Sequence, residues 1–136
     1  MSEIQYEWRG GFANDEVHTL HADAFEHGAF DDDWQSLVSE RSLGWVTARD
    51  QGGLVGFVNV VWDGLVHAWI QDEMVSSGSR HRGIGIRLIE IARDEAKSAG
   101  CEWLHVDFDD HLRPFYYDAV GFTPTNGGLI NLTELS

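Results

Sequence analysis

The chain has 136 residues, with 23 acids against nine basic residues and a formal net charge of −14. That length suits one domain over residues 1–136 with a sizeable core, and the acidity argues against a nucleic-acid surface or an anionic membrane as partner. No apolar run approaches the roughly 20 residues that span a bilayer, the polar start Met1-Ser2-Glu3-Ile4-Gln5 is unlike a secretion signal, and the lone Cys101 excludes an intramolecular disulfide and fits a reducing cytoplasm.

Residues 4–9 read as a first strand, broken by Gly10-Gly11. Asn14 or Asp15 can cap a helix that sets Val17, Leu20, Ala24 and Phe25 on one face. Asp31-Asp32-Asp33 opens a second helix with Trp34, Leu37 and Val38, where acids suit the helix dipole. Strands follow at 43–49 and 54–62 around the turn Asp50-Gln51-Gly52-Gly53, and at 66–75 after Asp63-Gly64. A third helix carries Ile84, Leu88, Ile91, Ala92, Ala96 and Ala99 at helical spacing and stops at Gly100. Then come a strand at 102–108, a short helix at 113–120 with Pro114 in its first turn, and strands at 122–125 and 129–132 around Asn126-Gly127-Gly128. This order is an α/β domain with a mixed sheet: early hairpins are antiparallel, and the helix after the fourth strand is a crossover that sets the fifth parallel to it.

Charge is distributed unevenly. Residues 1–79 hold 14 acids and three arginines, whereas 80–97 hold five of the nine basic residues. That basic stretch opens with Arg80-His81-Arg82-Gly83-Ile84-Gly85-Ile86-Arg87, where a loop turns into a helix. A helix N-terminus has free N–H groups and partial positive charge, and glycines let a phosphate approach it. The dinucleotide fingerprint needs a third glycine where Leu88 stands, and the triphosphate loop needs Gly-Lys-Ser/Thr, which is absent. A glycine-rich turn before an amphipathic helix is the plain alternative.

Arg80-x-x-Gly83-x-Gly85 matches the (Arg/Gln)-x-x-Gly-x-(Gly/Ala) signature of the GNAT N-acetyltransferases, and Val75 stands five residues before it, as in that family. Tyr117-Asp118-Ala119-Val120-Gly121-Phe122 is similar to the family's second motif, Tyr-x-x-x-Gly-Phe. The element order resembles the GNAT fold over nearly the whole chain. The resemblance implies a mixed, mostly antiparallel sheet of six to seven strands with about four helices, and strands four and five parallel and splayed.

It also implies acetyl-CoA as acyl donor, without a metal. The backbone of Arg80, His81, Arg82, Gly83, Ile84, Gly85, Ile86 and Arg87 would hold the pyrophosphate, and Met74 and Val75 the pantetheine arm. Tyr117 would protonate the leaving thiolate, a role that suits a phenol; a core aromatic like Phe115 and Tyr116 is its alternative. Many relatives have asparagine and alanine where this chain has Asp110 and Arg113, so a contact from 110 is in doubt and Arg113 is a candidate phosphate contact. Glu73 is favoured as general base over Asp72. Strand alternation puts the two on opposite faces, which a bulge would alter; His67, His105 and Asp107 are reserves. The seven histidines show no metal-ligand spacing.

The acceptor side implied by the resemblance carries Asp23, Glu26, Asp31, Asp32, Asp33, Asp72, Glu73, Asp107 and Asp109. That concentration of acids favours a cationic primary amine, most simply a small molecule. Trp34, Trp62 and Trp69 would add aromatic faces if they line the cleft. A peptide amine, a non-catalytic acyl-CoA sensor and a homodimer stay open.

Overall fold

Two turns set the antiparallel part of the sheet. Between β2 (Ser42–Asp50) and β3 (Gly53–Trp62), Gln51 and Gly52 both have positive φ, 51° and 86°. That is the two-residue hairpin whose twist matches its strands. Before β4 (His67–Val75), Asp63 accepts hydrogen bonds from the N–H groups of Leu65 (2.7 Å) and His67 (3.2 Å), and Gly64 takes φ of 81°. The structure, a computed structural model, describes residues 3–25 and 32–135.

Among the described residues the sheet has five strands in the order β1-β2-β3-β4-β5, with β1 at Ile4–Trp8 and β5 at Trp103–His105. The first four run antiparallel, and β5 runs parallel to β4. The sheet is therefore smaller than the six to seven strands expected. Residues 122–125 and 129–132 form no strands, and Leu129, Ile130 and Leu132 stand in solvent. Pro124 lacks a ladder donor and Gly127-Gly128 adds backbone freedom, so this segment has little to hold it in register.

Helices α1 (Asn14–Phe25) and α2 (Trp34–Arg41) cover one face, packing Val17, Leu20, Trp34 and Val38 against Phe57 and Met74. Asp33 caps α2 by accepting from Ser36 N–H at 3.2 Å. Asp31, expected beside it, lies outside the described residues. Helix α3 (Ile84–Ser98) covers the other face, with Ile84, Leu88, Ile89, Ala92 and Ala96 buried against Val46, Val58, Val60 and Ile70. Gly100, at φ 95°, ends it. The last helix, α4 (Pro114–Val120), is a π-helix: Gly121 N–H donates to Tyr116 C=O, five residues back, at 3.1 Å.

One irregularity in β4 decides which way its residues face. Asn59 pairs with Gln71 and Phe57 with Met74, so Asp72 and Glu73 together oppose Val58. Asp72 has φ of 55°. This is a β-bulge, which resets the alternation of a strand. Ile70 and Met74 are four apart and would share a face in a regular strand. Instead Ile70 packs on the α3 side and Met74 on the α1 side.

Candidate active site

Strands β4 and β5 pair only over His67↔Trp103, Ala68↔Leu104 and Trp69↔His105. Beyond Trp69 the chains part, and an open cleft of about 1150 Å³ lies between the rest of β4 and the segment after β5. Among the described residues, Asp72, Glu73, Asp107 and Asp109 bring four carboxylates to this cleft against one arginine, Arg80.

The bulge turns Asp72 and Glu73 to opposite sides, as strand alternation alone would, but it changes which side each takes. Asp72 turns toward α1, bonded to Asn59 and near His21; burial raises its pKa despite both. Glu73 turns toward the first turn of α3. Burial pushes its carboxyl up to about 7, and the charge of Arg80 restrains the shift. A carboxylate that titrates near neutrality is matched to proton transfer at neutral pH. Arg80 crosses the mouth of the cleft and donates to Ala24 C=O, near the end of α1, at 3.2 Å. Asp23 next to it accepts from Ser77 N–H (2.7 Å) and Ser77 Oγ (2.8 Å), which ties α1 to the loop after β4 and lowers the Asp23 pKa.

The glycine loop stands at the same end. Gly83 is the N-cap of α3 with φ of 76°, a conformation that L side chains rarely adopt. The first bond of the α3 ladder runs from Arg87 N–H to Gly83 C=O at 3.1 Å. The N–H groups of Ile84, Gly85 and Ile86 therefore precede that ladder, which suits an anion. Gly85 is small for a different reason: a Cβ there would stand 2.9 Å from Glu73 Oε1 and 3.2 Å from Phe115 Cζ. His81, with φ of 66°, is a left-handed non-glycine residue in the loop.

The other expected residues scatter. Arg82 is engaged by Asp50 at 2.8 Å and Arg87 reaches Glu90 at 3.7 Å. The Met74 side chain is buried in the α1-side core, the Ile84 side chain in the α3-side core, and Val75 packs against the latter. Tyr117 and Arg113 are not in the cleft. They line a second hollow of about 900 Å³ beside β5, where Arg113 sits 5.2 Å above the Tyr117 ring and 3.4 Å from Asp110. The tyrosine of α4 that lines the cleft is Tyr116. Its π-turn placement has no sequence signal that separates it from Tyr117. His21, which also lines the cleft, was legible in principle, one helical turn after Val17.

The reserve bases and aromatics are likewise sorted. His67 and His105 bond to each other at 2.9 Å and stack with Trp69, beside the second hollow. Asp107 borders both hollows. Trp34 is buried against Phe57 and Trp62 packs against the α3-side core. The tryptophans expected to face an ammonium therefore do not line the cleft; Phe25, Phe108 and Tyr116 do. Glu26 and Asp31, expected on the acceptor side, lie outside the described residues. No group of three or more metal-binding side chains, and no helix long and apolar enough to cross a membrane, occurs among the described residues.

Residues 6–122 match the acetyltransferase (GNAT) family, and the chain belongs to that family. A search of curated proteins finds no match. Among solved structures, a GNAT-family acetyltransferase from Streptococcus pneumoniae is similar at 20% identity, TM-score 0.74, covering 96% of this chain and 99% of that one. The aminoglycoside N-acetyltransferase AAC(6')-Iy in complex with CoA is similar at 17% identity, TM-score 0.78, covering 99% and 97%. Glucosamine-6-phosphate N-acetyltransferase from Arabidopsis thaliana is similar at 14% identity, TM-score 0.76, covering 96% and 99%. At these identities the likeness is one of fold.

Proposed function

We propose that this acetyltransferase moves an acetyl group from acetyl-CoA to a cationic primary amine, most simply a small molecule, and that residues 1–136 act as one domain. The observation that carries the acceptor class is the cleft wall, four carboxylates against one arginine among the described residues. Such a wall concentrates cations and repels anions. The similar aminoglycoside N-acetyltransferase supports an amine acceptor without identifying it.

The donor set suits a pyrophosphate: the early α3 amides of Ile84, Gly85 and Ile86, the loop of Arg80, His81, Arg82 and Gly83, and the charge of Arg87. Arg82 would have to share its guanidinium with Asp50, and Arg113 is placed to meet only a part of the cofactor that reaches the second hollow. Bound acetyl-CoA supplies the activated thioester. The β4 backbone at Met74 and Val75, which borders the cleft, would align it, and the Val75 N–H is our candidate donor to its carbonyl oxygen. Glu73 takes a proton from the amine, with Asp72 holding negative charge on the acceptor side. A phenol of α4 returns a proton to the sulfur.

A thiol-release assay over a panel of amines at low and high salt tests this reading. We expect kcat/KM for cationic amines to exceed that for neutral and anionic ones and to fall as salt screens the wall. Efficient use of anionic acceptors, or no salt effect with cations, refutes the acceptor class. Calorimetric binding of acetyl-CoA with no thiol release from any amine would identify a non-catalytic acyl-CoA sensor instead.

A further inference from the structure

We infer that Asp23 is a positioning residue that couples the glycine loop to the acceptor wall, making the end of α1 follow the loop when a pyrophosphate binds there. The inference rests on the acetyl-transfer reading above. The sequence puts Asp23 among the acids that would attract a cation. In the structure its task is different. Among the described residues, His21, Ala24 and Phe25 of α1 line the cleft, and Asp23 does not. Both of its carboxylate oxygens meet one residue of the loop: Oδ2 accepts from Ser77 N–H at 2.7 Å and Oδ1 from the Ser77 hydroxyl at 2.8 Å.

An acid is badly placed at this end of a helix, because the C-terminus carries partial negative charge. α1 has no basic residue in its last turn to offset it. The offset comes from the loop. The Ser77 N–H, the Ser77 hydroxyl and the charge of Arg80 lower the Asp23 pKa and keep the carboxylate ionised. Arg80 also donates to Ala24 C=O at 3.2 Å, at the end of a helix where carbonyls lack intrahelical donors. Residues 77 and 80 therefore complete the end of α1, and both bridges are charge-assisted.

The loop is anchored on its other side as well. Ser76 N–H donates to Val55 C=O of β3 at 2.8 Å, Ser79 N–H closes the turn on Ser76 C=O at 3.0 Å, and Ser79 is buried. Residues 76–79 thus form a short brace between β3 and α1, with Arg80 and then Gly83 following it.

This arrangement can transmit occupancy. A guanidinium has five N–H donors, so Arg80 can keep Ala24 C=O and offer others to a pyrophosphate at the first turn of α3. Ordering the loop around that anion orders α1 through two bridges, Asp23–Ser77 and Ala24–Arg80. His21, Ala24 and Phe25 travel with α1, so the cofactor sets one wall of the cleft before an amine arrives. By linkage, an amine held on that wall tightens cofactor binding by the same factor.

Hydrogen–deuterium exchange with CoA as the only added ligand tests the coupling without turnover. In wild type, CoA should slow exchange in peptides over residues 17–25 on the order of fivefold. Asp23→Ala should lose that slowing while still binding CoA by calorimetry. Asp23→Asn should keep it, because the amide oxygen accepts from Ser77 N–H and the amide NH2 donates to Ser77 Oγ; a residue acting by charge alone would make the two variants equivalent. Because Asp23→Ala can loosen α1 altogether, Ser77→Ala removes one of the two bonds and leaves α1 unaltered; it should show an intermediate loss. In thiol release at saturating acetyl-CoA, with the best amine of the panel above, Asp23→Ala should raise the KM for the amine on the order of fivefold with kcat nearly unchanged. Equal slowing in Asp23→Ala, no slowing in a wild type that binds CoA, or Asp23→Asn behaving as Asp23→Ala overturns the coupling and leaves the function intact. A wild type that binds no CoA overturns both.

Discussion

Glu73 Oε1 lies 2.9 Å from the point where a Cβ at Gly85 would stand. The candidate base on β4 and the second glycine of the loop on α3 are therefore one packed unit. The space a side chain would need at 85 is filled by a carboxylate on one side and by the Phe115 ring on the other.

Gly85→Ala should therefore act twice. It displaces Glu73 or Phe115, a kind of overpacking that costs about 1–3 kcal/mol, and it crowds the amides expected to meet a pyrophosphate. Gly83→Ala meets no atom within 4 Å but must hold φ of 76°, which costs roughly 1–2 kcal/mol. Unfolding curves and calorimetric titration with CoA separate the two effects. We expect both variants to lose stability and Gly85→Ala to lose more affinity.

The burial of Glu73 predicts how stability varies with pH. Its folded pKa of about 7 lies above its ordinary value of 4.5. The unfolded chain therefore releases this proton first as pH rises, and the stability present below pH 4.5 is lost up to pH 7. The full shift corresponds to about 3 kcal/mol as an upper bound. Glu73→Gln removes the ionisation, so it should be more stable than wild type at pH 8 and nearly equal at pH 4.5. Denaturant unfolding at the two pH values checks this; equal effects at both would refute it.

Cofactor binding should take up protons at the same residue. A pyrophosphate at the first turn of α3 sets negative charge next to Glu73, and a like charge favours the protonated carboxyl. Near pH 7.5, calorimetry in buffers of different ionisation enthalpy should show proton uptake when CoA binds. Glu73→Gln should abolish that uptake and bind at least as tightly. Uptake that persists in the variant would assign it to another group.

The pair Glu16 and Arg49 governs the acid limb instead. Arg49 meets Glu16 through two bonds, 2.7 and 2.9 Å, and joins α1 to β2. These bonds, with the N–H of Ala13, lower Glu16 from 4.5 to about 2. A lowered carboxyl contributes stability above its unfolded pKa and loses it as pH falls through the folded one. The window from 4.5 down to 2 does not overlap that of Glu73. Glu16→Gln should flatten the acid limb; the effect is smaller than the shift suggests because a third of the side chain is in solvent.

Much of the architecture was legible because it rests on local chemistry. The acids up to Asp33 as a helix start, Asp50-Gln51-Gly52-Gly53 as a hairpin turn and Gly100 as a stop each follow from a few neighbouring residues. The loop was legible from Arg80, Gly83 and Gly85. What could not be read depends on alternation being interrupted. A two-for-one pairing at Asp72 and Glu73 leaves no mark in residue type, yet it decides that Glu73 meets α3 and Asp72 meets α1. The π-turn of α4 likewise separates Tyr116 from Tyr117 without altering the motif that contains both. The last two strands were read from Phe122, Leu129 and Ile130, whose β-propensity is real, but a strand needs a partner as well as a propensity.

The bulge also divides β4 into two parts that evolution can treat separately. Ala68 and Trp69 are each locked between two neighbouring strands. From Asp72 onward β4 has a neighbour on one side only, and it holds one residue more than its partner strand requires. A substitution at that surplus residue can alter the charge offered to an acceptor without shifting the register of the sheet. Deleting one residue there is a different event. It would restore regular pairing, with Met74 still opposite Phe57 in the α1 layer and Val75 in that of α3, and would leave one carboxylate where the bulge now presents two.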